Sequence, residues 1–399
     1  MTGVGAVSGF GWGTAALHEG LAAGRTAIAE PQAFDTSGQR TRLASEVPGL
    51  PDAGFEVENA RPRLSRADLF AVWAAREAVA EAGLEIAGPR TGVYFGGSTA
   101  GMLECEEYFA RLIDVADGPA RLSLLASQQL NCPGDAVARD LGACGPVQSF
   151  SSAFSSGAQA VAAAVDAIRD GVVDVAVAGG SDALCRLTYA GFNSLRSVDA
   201  APSRPFRADR AGLSLGEGCG VLVLESAEHA RARGVEPAVE VAGLGESCDA
   251  HHMTAPEPSG SGARSAMEAA IADAGLTASS VHAVNAHGTG TPHNDSAEAA
   301  AIAEILAGVH PPVPVTAPKA AFGHVLGAAG ALEAVVCVLA IRAGIVYPTP
   351  GDDGCDADLG IDLVLGGPRS VDDERAVWIS TNLAFGGANA ALLIRGSGS

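Results

Sequence analysis

The stretch SFSSAFSSGAQAVAAAVDAIRDGVVDVAVAGG, residues 149–180, holds a turn, a helix and a strand in succession. Its opening is small and polar and runs through Gly157 into an Ala/Val-rich segment. Such a turn presents one side chain at a helix N-terminus, and that side chain is usually a nucleophile. Here it is Phe154, which has no lone pair to offer. GAQAVAAAVDAIRDG (157–171) reads as a helix closed by glycine, and VVDVAVAGG (172–180) as a buried strand.

The same alternation extends in both directions. TGVYFGG (91–97) and GCGVLVLES (218–226) read as buried strands, and RADLFAVWAAREAVAEAG (66–83) as a helix. The second half repeats the style. It has a strand at PAVEVAGLGES, a helix at 261–275, a strand at VHAVNAHG, two Ala-rich helices and a closing strand pair around AVWISTNLAFGGANAALLIRG. The pattern predicts a layered α/β fold. The boundary falls in ARARGVEPA (230–238), dividing the chain into 1–235 and 236–399.

Composition narrows the function classes. The 399 residues carry a net charge of −21, which argues against nucleic acid and anionic membrane surfaces as partners. The 8 cysteines are scattered without a C-x-x-C pair, so reduced thiols in a cytoplasmic protein are expected and a metal site is not. The N-terminal residues lack the pattern of a signal peptide. AVVCVLAIRAGIV (334–346) is interrupted by Arg342 and Gly344 and reads as a buried helix, not a membrane span.

Three loops of the second half carry chemistry. NAHGTGTPHND (285–295) sets His287 in a Gly/Thr-rich turn after a strand. APKAAFGHVLGAAGALEA (317–334) places Lys319 and His324 before a helix, with Glu333 placed to pair with Lys319 and brace the loop. NLAFGGANA (382–390) is a glycine-rich turn after a strand. Singly these are weak signals: a buried histidine or a surface lysine explains each. Together, two imidazoles aimed at one point are the apparatus for stabilising an enolate or oxyanion.

With TGVGAVS, SSAFSSGAQA, SRPFRADRAGLSLGEGCGVLVLE (203–225), NAHGTGTPHNDSAEA, PKAAFGHVLGAAGALEA and NLAFGGANA in this order, the chain resembles the β-ketoacyl-ACP synthases, condensing enzymes of the thiolase superfamily. The resemblance implies a duplicated five-layer α-β-α-β-α thiolase-like fold, a dimer, an acyl carrier protein as partner, and no cofactor. It also implies a Cys–His–His triad. His287 and His324 match its histidines, Lys319 and Glu333 the supporting pair, and Phe385, Gly386 and Gly387 a gate loop whose Phe385 N–H serves an oxyanion.

One departure outweighs the rest. The family reads T-A-C-S-S-G where this chain has Ser152–Ala153–Phe154–Ser155–Ser156–Gly157, so Phe154 stands at the acyl-accepting cysteine. Cys144, ten residues upstream, is not placed to replace it. Self-contained condensation is therefore not expected. Two kinds of Cys-less relative remain: the chain length factor of type II polyketide systems, paired with a Cys-containing ketosynthase, and a malonyl-ACP decarboxylase working alone or as a homodimer. An active-site variant of an ordinary 3-oxoacyl-ACP synthase is a further reading. Smaller departures are Arg207 and Ala211, where acidic residues are usual, and Leu383 before the gate. Arg61, Arg63 and Arg66 read as a carrier-protein docking patch or a solvated face. Met102 and Phe109 read as dimer-interface or core residues, and Asp295 and Glu298 as charges suited to a helix N-terminus.

Overall fold

The computed structural model describes residues 1–49, 64–86, 88–114, 119–351, 354–371 and 375–398. Arg61 and Arg63 lie outside the described residues.

Two mixed sheets carry the fold. The first is ordered Gly11–Trp12, Gly3–Ser8, Gly218–Glu225, Val175–Asp182, Thr91–Gly96, Val147–Phe150. Gly218–Glu225 runs antiparallel to both its neighbours, and the last three strands run parallel. The second is ordered Val239–Cys248, Ala388–Gly396, Val377–Leu383, Ala283–Asn285, Pro314–Thr316, Asp362–Leu363. Ala388–Gly396 is antiparallel to both its neighbours and the remaining strands are parallel. Without the outermost short strand of each, the two sheets have the same chain order and the same strand senses. That is the duplication the resemblance implied. The alternation of helices and strands in the sequence did not reveal the antiparallel member. It follows from the short connection between Leu383 and Ala388, which can join only antiparallel neighbours.

Two helices, Ser156–Arg169 and Ala329–Ala343, fill the space between the sheets. They cross where side chains vanish. A Cβ on Gly157 would lie 2.8 Å from the Ala331 nitrogen, and one on Gly330 2.5 Å from the Ala158 nitrogen. Leu326–Ala343 is the segment, among the described residues, long and apolar enough to cross a membrane, and it is buried in this central layer.

Outer helices complete five layers. Arg66–Ala82 and Cys132–Leu141 cover the first sheet, and Ser261–Asp273 and Pro292–Ile305 the second. Arg66–Ala82 starts at a capping box in which Ser65 and Asp68 satisfy each other's backbone N–H, and stops at left-handed Gly83. Arg66 itself turns inward. Its guanidinium grips the buried Glu217 carboxylate and the Val47 carbonyl, so it is committed to the fold. Helix Met102–Ile113 keeps Phe109, Leu112 and Ile113 exposed, and the edge strand Val147–Phe150 leaves Val147, Gln148 and Ser149 exposed.

Candidate functional site

Phe154 stands on a short turn, Ala153–Ser155, leading into helix Ser156–Arg169. Ala153 before it is left-handed at φ +53, a strained setting for a residue with a Cβ. Hydroxyls hold the turn: Ser152 N–H donates to Ser156 Oγ at 2.9 Å, and Ser156 Oγ donates to the Ala153 carbonyl at 2.6 Å. The presenting turn is thus built in full, with an aromatic ring at its apex.

Both histidines arrive at that ring. The Phe154 centroid lies 4.5 Å from His324 and 6.4 Å from His287, and the imidazoles are 5.2 Å apart. His287 follows strand Ala283–Asn285. Its backbone N–H donates to Glu298 Oε1 at 2.7 Å, and the next N–H, of Gly288, to Glu298 Oε2 at 2.8 Å. Thr381 Oγ1 donates to the same carboxylate at 2.6 Å. His324 follows the short helix Lys319–Phe322, and its Nδ1 accepts from Leu326 N–H at 3.1 Å. Lys319 Nζ lies 3.1 Å from His287 Nδ1. In both rings Nδ1 therefore accepts, which leaves the ring proton on Nε2. Burial holds both imidazoles well below the usual histidine range, helped by the Lys319 charge, so both are neutral donors at pH 7. His324 Nε2 is buried with no hydrogen-bond partner among the described residues.

Lys319 and Glu333 form a fully buried ion pair, and Asn382 Nδ2 donates to the other Glu333 oxygen at 2.7 Å. Burial pushes the Glu333 carboxyl up to about 7, against the pull of Lys319 and Asn382. Lys319 is the only lysine in the sequence. The structure thus brings Phe154, His287, Lys319, His324 and Glu333 into one cluster.

The glycine-rich turn closes over it. The Phe385 ring lies 4.8 Å from Phe154 and 5.8 Å from Phe192, and Gly386 and Gly387 are left-handed at φ +83 and +79. Gly386 N–H donates to the Met253 carbonyl at 2.8 Å, and Gly387 O accepts from Asp249 N–H at 2.9 Å. A cleft of about 350 Å³ opens beside the cluster, lined by Phe154, Phe192, Phe385, Leu326 and Thr188, with Ser98, Thr99, Ser151 and Ala153. Neither histidine lines it. The Phe154 ring forms its wall on the side where the imidazoles lie.

Sequence reasoning missed several supporting groups. Asp295 and Glu298 do sit in the first turns of helix Pro292–Ile305, but both are fully buried and tie down the loop around His287. Asp295 accepts from Phe206 N–H at 2.8 Å, and burial raises its carboxyl to about 6. Asn382, Phe192 and Asp182 gave no signal, since nothing local in sequence marks a residue that acts across the fold.

Comparison with known proteins agrees with this geometry. Residues 1–230 match the family description "Beta-ketoacyl synthase, N-terminal domain", and residues 238–351 match "Beta-ketoacyl synthase, C-terminal domain". The chain belongs to the β-ketoacyl synthase family. This β-ketoacyl synthase homologue is 38% identical to Nodulation protein E of Rhizobium meliloti (strain 1021), over 99% of the chain and 98% of that protein. It is 34% identical to the 3-oxoacyl-[acyl-carrier-protein] synthase 2 of Synechocystis sp. (strain ATCC 27184 / PCC 6803 / Kazusa), over 99% of the chain and 97% of that protein. Among solved structures it is similar to "The ishigamide ketosynthase/chain length factor". The TM-score is 0.91 at 34% identity, covering 100% of this chain and 98% of that one. It is also similar to the Xenorhabdus doucetiae structure of ketosynthase ApeO in complex with its chain length factor ApeC. There the TM-score is 0.86 at 29% identity, with 100% and 97% coverage.

Proposed function

We propose that the chain is a nucleophile-less, chain-length-factor-like subunit that pairs with a Cys-containing ketosynthase and helps elongate polyketide or fatty acyl chains held on an acyl carrier protein. One observation carries the reading. Phe154 sits on an intact presenting turn, with its ring between the cleft and the two imidazoles. The ring cannot form an acyl-enzyme. It can wall a tunnel. The likeness to two solved structures that pair a ketosynthase with a chain length factor supports the pairing, and a third neighbour, at 27% identity, is described as a type II acyl carrier protein in complex with its ketosynthase. In this reading 1–235 supplies Phe154, and 236–399 supplies His287, Lys319, His324, Glu333 and the Phe385–Gly386–Gly387 gate.

A second reading has one observation in its favour. Both Nε2–H donors are intact, and that of His324 is unused. Such a pair suits malonyl-ACP decarboxylation through a stabilised enolate. Co-expression with a Cys-containing homologue separates the two. The partner reading expects a heterodimer by native mass spectrometry, condensation only by that heterodimer, and no CO₂ release from malonyl-ACP by the chain alone. Rapid decarboxylation by the chain alone, abolished in His324→Ala, would replace it with the second reading.

A further inference from the structure

Asp182 ends the strand Val175–Asp182, and its side chain is fully buried. Its Oδ1 accepts from the backbone N–H groups of Ser98 at 2.9 Å, Thr99 at 2.7 Å and Ala100 at 3.3 Å, and from the Thr99 hydroxyl at 2.9 Å. Its Oδ2 accepts from Gly327 N–H at 2.7 Å. Ser98 extends the linkage, because its hydroxyl donates to the Ala153 carbonyl at 3.2 Å. One carboxylate thereby ties together the loop after strand Thr91–Gly96, the turn presenting Phe154 and the turn after His324. Ser98, Thr99, Ala153 and Leu326, on those three segments, line the cleft.

The backbone around it is strained at three points. Ala100, Ala153 and Leu326 have φ of +44, +53 and +53, and each gives a hydrogen-bonding group to this network or adjoins one that does. Left-handed backbone is unfavourable for residues with a Cβ and persists only where the surroundings enforce it. At Leu326 the enforced conformation has a chemical result. Its N–H meets His324 Nδ1 at 3.1 Å, and that bond keeps the ring proton on Nε2.

We propose that Asp182 is the positioning residue of this site: by anchoring Gly327 it holds Leu326 left-handed, which fixes the tautomer of His324 and the wall of the cleft. A carboxylate suits the place because it meets only donors. An asparagine there would turn its NH₂ toward an N–H group and lose at least one bond. The proposal rests on the functional reading only for the use made of the wall. The tautomer stands apart from it.

The test is a long-range ¹H–¹⁵N correlation spectrum of the full chain labelled with ¹⁵N-histidine, with His324 assigned through His324→Gln. The native chain is expected to give His324 as one neutral Nε2–H tautomer. Asp182→Asn, checked for its fold by circular dichroism, is expected to lose that single-tautomer pattern while His287 keeps its own. A folded Asp182→Asn with an unchanged His324 signature overturns the proposal, as does a native His324 protonated on Nδ1. Should Asp182→Asn not fold, Gly327→Ala gives the same reading. Its Cβ would lie 2.7 Å from the Gly97 carbonyl carbon and from Ser98 Oγ, which pushes the turn off Asp182, and an unchanged signature again overturns the proposal. A failed heterodimer experiment leaves this spectrum untouched, and an unchanged spectrum leaves the heterodimer untouched.

Discussion

Phe154→Ala tests whether the ring is a packed wall or a strained placeholder, because the two differ in sign. Phe154 is 6% exposed, and its ring contacts reach 4.5 Å to His324 and 4.8 Å to Phe385. Truncating a buried Phe costs ~3–5 kcal/mol, and aromatic pairs of this kind contribute ~0.5–1.5 kcal/mol each within that total. The cleft of about 350 Å³ adjoins the ring, so the vacated space joins a cavity open to water and leaves no sealed void. The lower end, ~3 kcal/mol, therefore applies. At about 2.1 cal/mol/K per residue over 399 residues, this lowers the melting midpoint by about 4 °C. Differential scanning calorimetry of both chains at one pH reads it directly. A midpoint that is unchanged or higher in Phe154→Ala would refute the packed wall, since groups kept for chemistry at the expense of stability give that sign when removed.

Phe154→Cys puts a thiol at the apex of an intact turn beside two neutral imidazoles, so intact-mass analysis with acyl-ACP should show a covalent acyl adduct at residue 154. The native chain should show none at any of its cysteines. Stability against pH should carry two opposed contributions. His287 and His324 are held neutral in the fold, so they lose stability as pH falls below their unfolded value. Glu333, raised to about 7, gains stability as pH falls from about 7 toward its unfolded value of 4.5. Glu333→Gln removes the gain, and its urea midpoint, referred to its own value at pH 8, should fall more steeply than the native one between pH 7 and 5. Gly330→Ala would set a Cβ 2.5 Å from the Ala158 nitrogen and 2.7 Å from Asn382 Oδ1, forcing the central helices apart. A loss of ~1–3 kcal/mol by urea denaturation is expected, as for other overpacked cores.

The layered class was legible because strands such as Thr91–Gly96 and Val175–Asp182, buried on both faces, leave continuous apolar runs in the sequence. Helices Met102–Ile113, Cys132–Leu141 and Arg186–Ser194 were not foreseen. The first leaves apolar Phe109, Leu112 and Ile113 exposed, so its pattern marks no single buried face, and the second is short, although Pro133 at its start and left-handed Gly142 after its end mark its bounds. In the site, His287, His324 and Phe385, which meet the Phe154 ring, and Lys319, which lies against His287, were legible through motifs, whereas Phe192, which also meets the ring, was not. The carboxylates that hold those motifs in place were read as helix charges or passed over. Asp182 meets Ser98 and Gly327 across 84 and 145 residues of chain, and no local pattern encodes such a pairing.

The solitary lysine has a practical side. Apart from Lys319, every Lys or Arg residue in this chain is an arginine, and the Lys319 side chain is 1% exposed within its pair with Glu333. A guanidinium does not react with the activated esters that acylate amines, so the native surface offers such reagents no side-chain amine. Acylation of residue 319 therefore becomes a clock for the opening of the central layer. Its rate counts the moments when the packing around Lys319 opens far enough to expose one buried nitrogen, and a partner subunit or an acyl chain seated in the cleft should slow it.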